Sequence, residues 1–311
     1  EIKVVGAQLD IGFFSLGVPP DWGLNEMHWV PKPRYKIMRD YLPTRAEHAL
    51  DMMTRTTGAQ LNMDFSDETD MVRKLRVSIG LQPFLIALFA NSWKEHGKDT
   101  GFSSRRSYFW MHTDPDRCGI LPFIFEEKVA GFEAYVDWLL DVPMFCIERN
   151  GELINMAGRS FRRFLSGDLP ENEKYTPCLA DWDIHLTTAF PEVRLKTFLE
   201  MRGVDSVDPP LLYALPAFWA GILYDPQTLN KAHDMVMNWT REDHLRFRES
   251  VPADGLLTMV PQSDFKIADV APQIIDLAAT GLDNLGWQDD SGQYLEILRR
   301  QLRQKRSALS V

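Results

Sequence analysis

Two stretches of alternating sequence hold the side chains best suited to chemistry. From Arg194 to Val204, residues Leu195, Thr197, Leu199 and Met201 fall on one face of a period-two strand. Arg194, Lys196, Phe198, Glu200 and Arg202 fall on the other. A face with that many charges cannot be buried dry, so it is solvated, ion-paired or turned toward a charged ligand. Its guanidinium and ammonium groups suit phosphates and a substrate carboxylate, and Glu200 suits a hard metal ion. From Thr57 to Phe65, residues Ala59, Leu61, Met63 and Phe65 alternate with Gln60, Asn62 and Asp64. The last three carry oxygens fit for Mg2+ or phosphate. If both polar faces line one cleft, they make a metal–nucleotide site on a sheet floor. Periodicity alone also fits an ordinary outer face laced with cross-strand ion pairs.

A third cluster runs through Ser103-Ser104-Arg105-Arg106-Ser107, Trp110 and Asp114-Pro115-Asp116-Arg117. It reads as a loop, either an anion clamp with an aromatic wall or a surface loop with solvated arginines. Cys118 follows Arg117, which can lower a thiol pKa, but nucleophilic catalysis also needs a base that no pattern places. His185 precedes the charged strand. It reads as a structural or surface histidine, with a substrate-side role as the alternative. Trp93, Trp182 and Trp219 read as core or pocket wall. There is no P-loop, dinucleotide fingerprint, GxSxG or HExxH.

The elements that position these residues follow from periodicity and caps. Ser66 offers an N-cap, with Asp67 and Glu68 in the first turn of a helix reaching about Leu81. Pro83 then starts a second helix to about Ala90. Residues 131–140 read as a helix with Phe132, Tyr135, Val136 and Leu139 on one face. Met144 to Arg149, Asn150-Gly151 and Glu152 to Met156 read as a hairpin with a type I′ turn. Helices are expected over 211–224 (kinked or broken at Pro216), 227–238, 240–251, 265–282 and 292–308. The opening Ile2-Lys3-Val4-Val5 reads as a strand. No repeat, low-complexity tract or Ser/Gly linker divides the chain. Residues 1–311 therefore read as one catalytic domain, lacking an upstream segment, with 211–311 mostly helical. The class is α+β, with an antiparallel sheet.

Composition narrows the partners. The 311 residues are 45% hydrophobic and 25% charged, ordinary for a globular protein. A net charge of −10 disfavours nucleic acid. No apolar run is long enough to span a membrane. Three widely spaced cysteines, Cys118, Cys146 and Cys178, match no zinc pattern and read as reduced thiols of a cytoplasmic protein.

Several blocks in order resemble the plant and proteobacterial glutamate–cysteine ligases. They are Pro31-Lys32-Pro33-Arg34-Tyr35-Lys36-Ile37-Met38-Arg39, Gln60-Leu61-Asn62-Met63-Asp64-Phe65-Ser66, and Leu81-Gln82-Pro83 leading to Ala87-Leu88-Phe89-Ala90-Asn91-Ser92. Arg106-Ser107 with Trp110 and Asp116-Arg117 follows. His185-Leu186-Thr187-Thr188, Phe190-Pro191-Glu192-Val193-Arg194 and Leu199-Glu200-Met201-Arg202-Gly203 complete the series. The resemblance implies a glutamine-synthetase-like curved antiparallel sheet forming a funnel, flanked by helices. It implies ligation of L-glutamate to L-cysteine with ATP and Mg2+, in a monomer or homodimer. By motif position, Arg106, Arg194 and Arg202 would be catalytic. Arg55, Arg106, Trp110 and Arg194 would bind substrate, and Gln60, Asn62 and Arg202 the nucleotide. Glu200 and Gln60 would hold metal, with further carboxylates from an upstream segment. A different amine acceptor, or a non-catalytic nucleotide-binding fragment, are the alternatives. Plant members carry a redox-sensitive cysteine pair. Here Met156 takes one position and no cysteine lies near Glu171, so no such regulation is expected.

Overall fold

The alternating stretches form the central sheet. A computed structural model describes residues 1–125, 131–170, 175–286 and 288–308. Its three-stranded antiparallel sheet has Leu199–Asp205 in the middle, flanked by Gly58–Met63 and Val193–Leu195. The charged stretch is therefore two strands and not one. A tight turn at Lys196-Thr197-Phe198, closed by Lys196 N donating to Phe198 O at 2.8 Å, folds it into a hairpin. Period-two alternation survives such a turn, which is why sequence alone does not reveal it.

The apolar alternates face inward. Ala59, Met63, Val193, Leu195, Leu199 and Met201 are buried in one large cluster that also holds Phe84, Phe218 and Trp219. The helix Glu68–Phe89 crosses this face of the sheet. Its cap is Asp67, whose carboxylate accepts from Asp70 N at 2.9 Å, one residue later than expected. It also runs unbroken through Pro83, where two helices were expected. Residues 77–89 are all buried, so packing on every side outweighs the hydrogen bond that proline removes.

Helices Ala214–Leu223, Pro226–Val236, Arg241–Asp254, Ile267–Asn284 and Gln288–Ala308 surround it. Pro216 sits in the first turn of Ala214–Leu223, where its missing N–H has no role, and a short Pro209–Leu212 helix precedes it. Gly221 and Gly281 meet where their helices cross. A Cβ on either would overlap main-chain atoms of the other helix. Lys305 Nζ donates to the Ala87 and Ala90 carbonyls at 3.1 and 3.0 Å, capping the buried helix's C-terminus.

The expected hairpin is present as Cys146–Arg149 paired with Glu152–Asn155, with positive φ at Asn150 and Gly151. Phe132–Asp141 is helical, but its buried face is Ala134, Tyr135 and Leu139, with Phe132 and Val136 exposed. Two further expectations are corrected. Ile2–Gln8 is a helix and not a strand, since β-branched residues without a partner strand do not fix extended backbone. Arg105–Met111 is a helix and not a loop, capped by Ser104 Oγ, which accepts from Ser107 N at 3.1 Å. The position near Glu171 lies outside the described residues.

Candidate active site

Three strands bring three polar side chains into one row. The register sets Asn62 opposite Glu200, and Glu200 opposite Arg194. Glu200 Oε2 accepts from Arg194 Nε at 2.7 Å and from Arg202 Nη1 at 2.8 Å, while Lys196 Nζ lies 3.4 Å from Oε1. Three cations thus surround one carboxylate and leave the face positive. Burial pushes Glu200 upward, but the hydrogen bond from Arg202 and the charges of Arg194, Arg202 and Lys196 outweigh it, holding the group below its ordinary value. Burial, then the charge of Arg202, lowers Arg194.

A bulge aims Arg202. Ala59 pairs with Val204 and Leu61 with Met201, so Gln60 stands opposite both Arg202 and Gly203. Arg202 N donates to Glu192 O at 3.1 Å. Its guanidinium carbon lies 5.5 Å from the Trp110 ring centre, and its Nε has no partner among the described residues. Beside it opens a cleft of about 520 Å³ lined by Lys32, Arg34, Tyr35, Trp110, Phe190 and Arg202 among others. Arg202 belongs to both the charged row and the cleft. Gln60 and Asn62 are exposed, Asn62 at the end of the row and Gln60 beside it.

Arg106 is fully buried and does not line the cleft. Its Nη1 and Nη2 donate to the Gly203 and Arg202 carbonyls at 2.9 and 2.8 Å, bracing the bulge from behind. It fills the space a Cβ at Gly58 would need, and burial lowers its pKa to about 10. In this structure Arg106 acts as a backbone brace. Arg55 is likewise turned away, paired with Asp51 at 2.7 Å and Glu95 at 3.1 Å. Arg117 is buried against Asp114 at 2.6 Å and stacked on Phe145, so it is no anion clamp. His185 is structural: Nε2 lies 2.8 Å from Leu139 O, the ring stacks on Phe161, and burial lowers its pKa to about 4. Burial, foremost, raises the Cys118 thiol to about 12, which keeps it protonated, and the three cysteines are free.

Sequence reasoning missed Lys32 and Arg34 as cleft cations. Their signal was the basic pair around Pro33 at the start of the helix Pro33–Tyr41. It also missed Glu192 and Arg248, buried and joined at 2.6 Å, because residues so far apart leave no local pattern. Arg248 also donates to Ser107 O at 3.4 Å, tying the helix that carries Arg106 and Trp110 to the sheet. Among the described residues no group of three or more His, Cys, Asp or Glu could hold a metal ion. Glu200, Asn62 and Gln60 offer one carboxylate and two amide oxygens, so they do not complete a magnesium site.

The profile of Glutamate-cysteine ligase family 2 (GCS2) matches residues 1–304. The chain belongs to this family. It is 46% identical over 289 residues to glutamate–cysteine ligase B, chloroplastic, of Oryza sativa subsp. japonica, covering 93% of this chain and 58% of that protein. The chloroplastic ligases of Nicotiana tabacum and Arabidopsis thaliana are 47% and 45% identical over the same length, covering 55% of each. The chain spans little more than half the length of these ligases. Their names overturn the cytoplasmic expectation, since each is called chloroplastic. Among the described residues no helix is long and apolar enough to cross a membrane.

Proposed function

We propose that this chain forms part of an ATP-dependent ligase that joins the γ-carboxylate of L-glutamate to the amine of L-cysteine, the first step toward glutathione. The observation that carries this reading is Arg202. It belongs both to a row of cations around Glu200 and to the adjoining cleft, in a chain of the glutamate–cysteine ligase family. In this reading the small sheet is the floor of a glutamine-synthetase-like funnel within a single catalytic domain.

ATP phosphorylates the γ-carboxylate, releasing ADP. The cysteine amine then attacks the acyl carbon, loses a proton and expels phosphate. The protein's task is to orient both substrates and to neutralise charge on the transferring phosphoryl group. Arg202, Arg194 and Lys196 supply that charge from the sheet. Lys32 and Arg34 hold the carboxylate of an amino-acid substrate across the cleft, against the ring of Trp110. Glu200 keeps the Arg194 and Arg202 forks aligned. Magnesium supplies charge to ATP when bound. Its ligands are not completed by the described residues, so no step here runs through it.

The test is release of phosphate that depends jointly on glutamate, cysteine and Mg·ATP, measured on the full-length protein. Its loss in Arg202→Met, with folding retained, supports the reading. Undiminished turnover in that variant, or no turnover in the wild type, defeats it.

A further inference from the structure

A second polar cavity lies apart from the sheet. It has a volume of about 470 Å³, and its lining includes Glu95, Lys98, Thr100, Arg105, Tyr108 and Phe109. Arg202 is not part of it. Two strands of a small hairpin, Lys94–Glu95 and Lys98–Asp99, form one wall, with Glu95 opposite Lys98. The helix Arg105–Met111 forms another.

Two carboxylates, Glu95 and Asp99, and two cations, Lys98 and Arg105, line the cavity. Glu95 Oε1 accepts from Arg105 Nη2 at 2.6 Å and also from Arg55 Nη2 at 3.1 Å. Arg55 has Asp51 as well, at 2.7 Å, whereas Arg105 is ion-paired with Glu95 alone among the described residues. Arg105 Nη1 is buried and has no hydrogen-bond partner among the described residues. A desolvated guanidinium N–H without an acceptor is costly, and an incoming oxyanion relieves that cost. The plain alternative is that Arg105 serves only its bond to Glu95. That accounts for Nη2 and leaves Nη1 unexplained. The rest of the lining is His48, His96, Asp99 and Thr100 with the aromatic side chains of Phe102, Tyr108 and Phe109. The rings of Phe102 and Tyr108 lie 4.3 Å apart, and Arg105 sits 5.0 Å over the ring of Phe109. The aromatic part of this wall suits a flat ring.

We propose that this cavity binds a small aromatic or heteroaromatic oxyanion. The ring lies against Phe102, Tyr108 and Phe109, and the anionic group meets Arg105 Nη1 and the Lys98 ammonium. The proposal does not depend on the ligase reading, because the two sites share no lining residue.

Isothermal titration with phenyl phosphate and with inorganic phosphate tests it. The wild type is expected to bind phenyl phosphate more tightly than phosphate. Arg105→Met and Lys98→Met each weaken phenyl phosphate by about tenfold or more. Arg202→Met leaves the Arg105-dependent component of that titration unchanged. Lys98 is exposed on a short hairpin strand, so its variant keeps the test valid should Arg105→Met fail to fold. Absence of binding at millimolar phenyl phosphate overturns the proposal. So does a titration that Lys98→Met leaves unchanged, or an Arg105-dependent component that Arg202→Met removes.

Discussion

Arg194 stands directly opposite Glu200 across a three-residue turn, and its Nε donates to Glu200 Oε2 at 2.7 Å. Arg202, two residues further on, donates to the same oxygen at 2.8 Å. One buried carboxylate therefore sets the direction of two guanidinium forks, and those forks make this face of the sheet an anion-binding surface.

The brace behind the bulge should be specific to a guanidinium. Arg106→Lys keeps the charge but cannot donate to both the Arg202 and Gly203 carbonyls in the same plane. Unfolding by urea is expected to show a loss of about 2–3 kcal/mol. The midpoint would not move if Arg106 were only a surface cation.

Two glycines should respond in opposite directions. Gly281→Ala drives a methyl into the Gly221 carbonyl, a backbone atom that cannot step aside, and should cost about 2–3 kcal/mol. Gly292 lies inside the last helix with open space where a Cβ would go, and Gly292→Ala should add about 0.5–1 kcal/mol. Thermal melts of the two variants read both signs.

Acid should weaken the fold through buried histidines. Burial lowers His185 and His244 from 6.5 to about 4. Between those values the unfolded chain binds protons that the native one excludes. The stability from each neutral ring is therefore complete above 6.5 and falls as pH drops toward 4. Each histidine contributes a slope of about 1.4 kcal/mol per pH unit in that window. Denaturation at several pH values should show a shallower slope in His244→Gln than in the wild type. An unchanged slope would mean that His244 is protonated in the folded state.

The alternation of Gln60 to Asp64 and of Arg194 to Val204 was enough to find the residues that share a polar face. It could not reveal the turn at Lys196 to Phe198, because a hairpin preserves parity. Nor could it show which arginines face a cleft and which brace backbone. Arg106 and Arg202 look alike in sequence. One is enclosed by the helix Arg105–Met111 and the bulge, and the other reaches out past Trp110. The Pro83 helix shows the same limit in the fold, since burial on all sides overrode a local breaker. Glu192 and Arg248 meet only through tertiary packing, so nothing local announces them.

Glu200→Gln tests the site most directly. The substitution removes the charge that aligns Arg194 and Arg202 while keeping size and shape. In the full-length protein at saturating glutamate, cysteine and Mg·ATP, kcat should fall at least about 100-fold, in line with losing one preorganised electrostatic contact. A kcat equal to the wild type, in a variant shown to be folded, would contradict the placement of ligase chemistry on this face of the sheet.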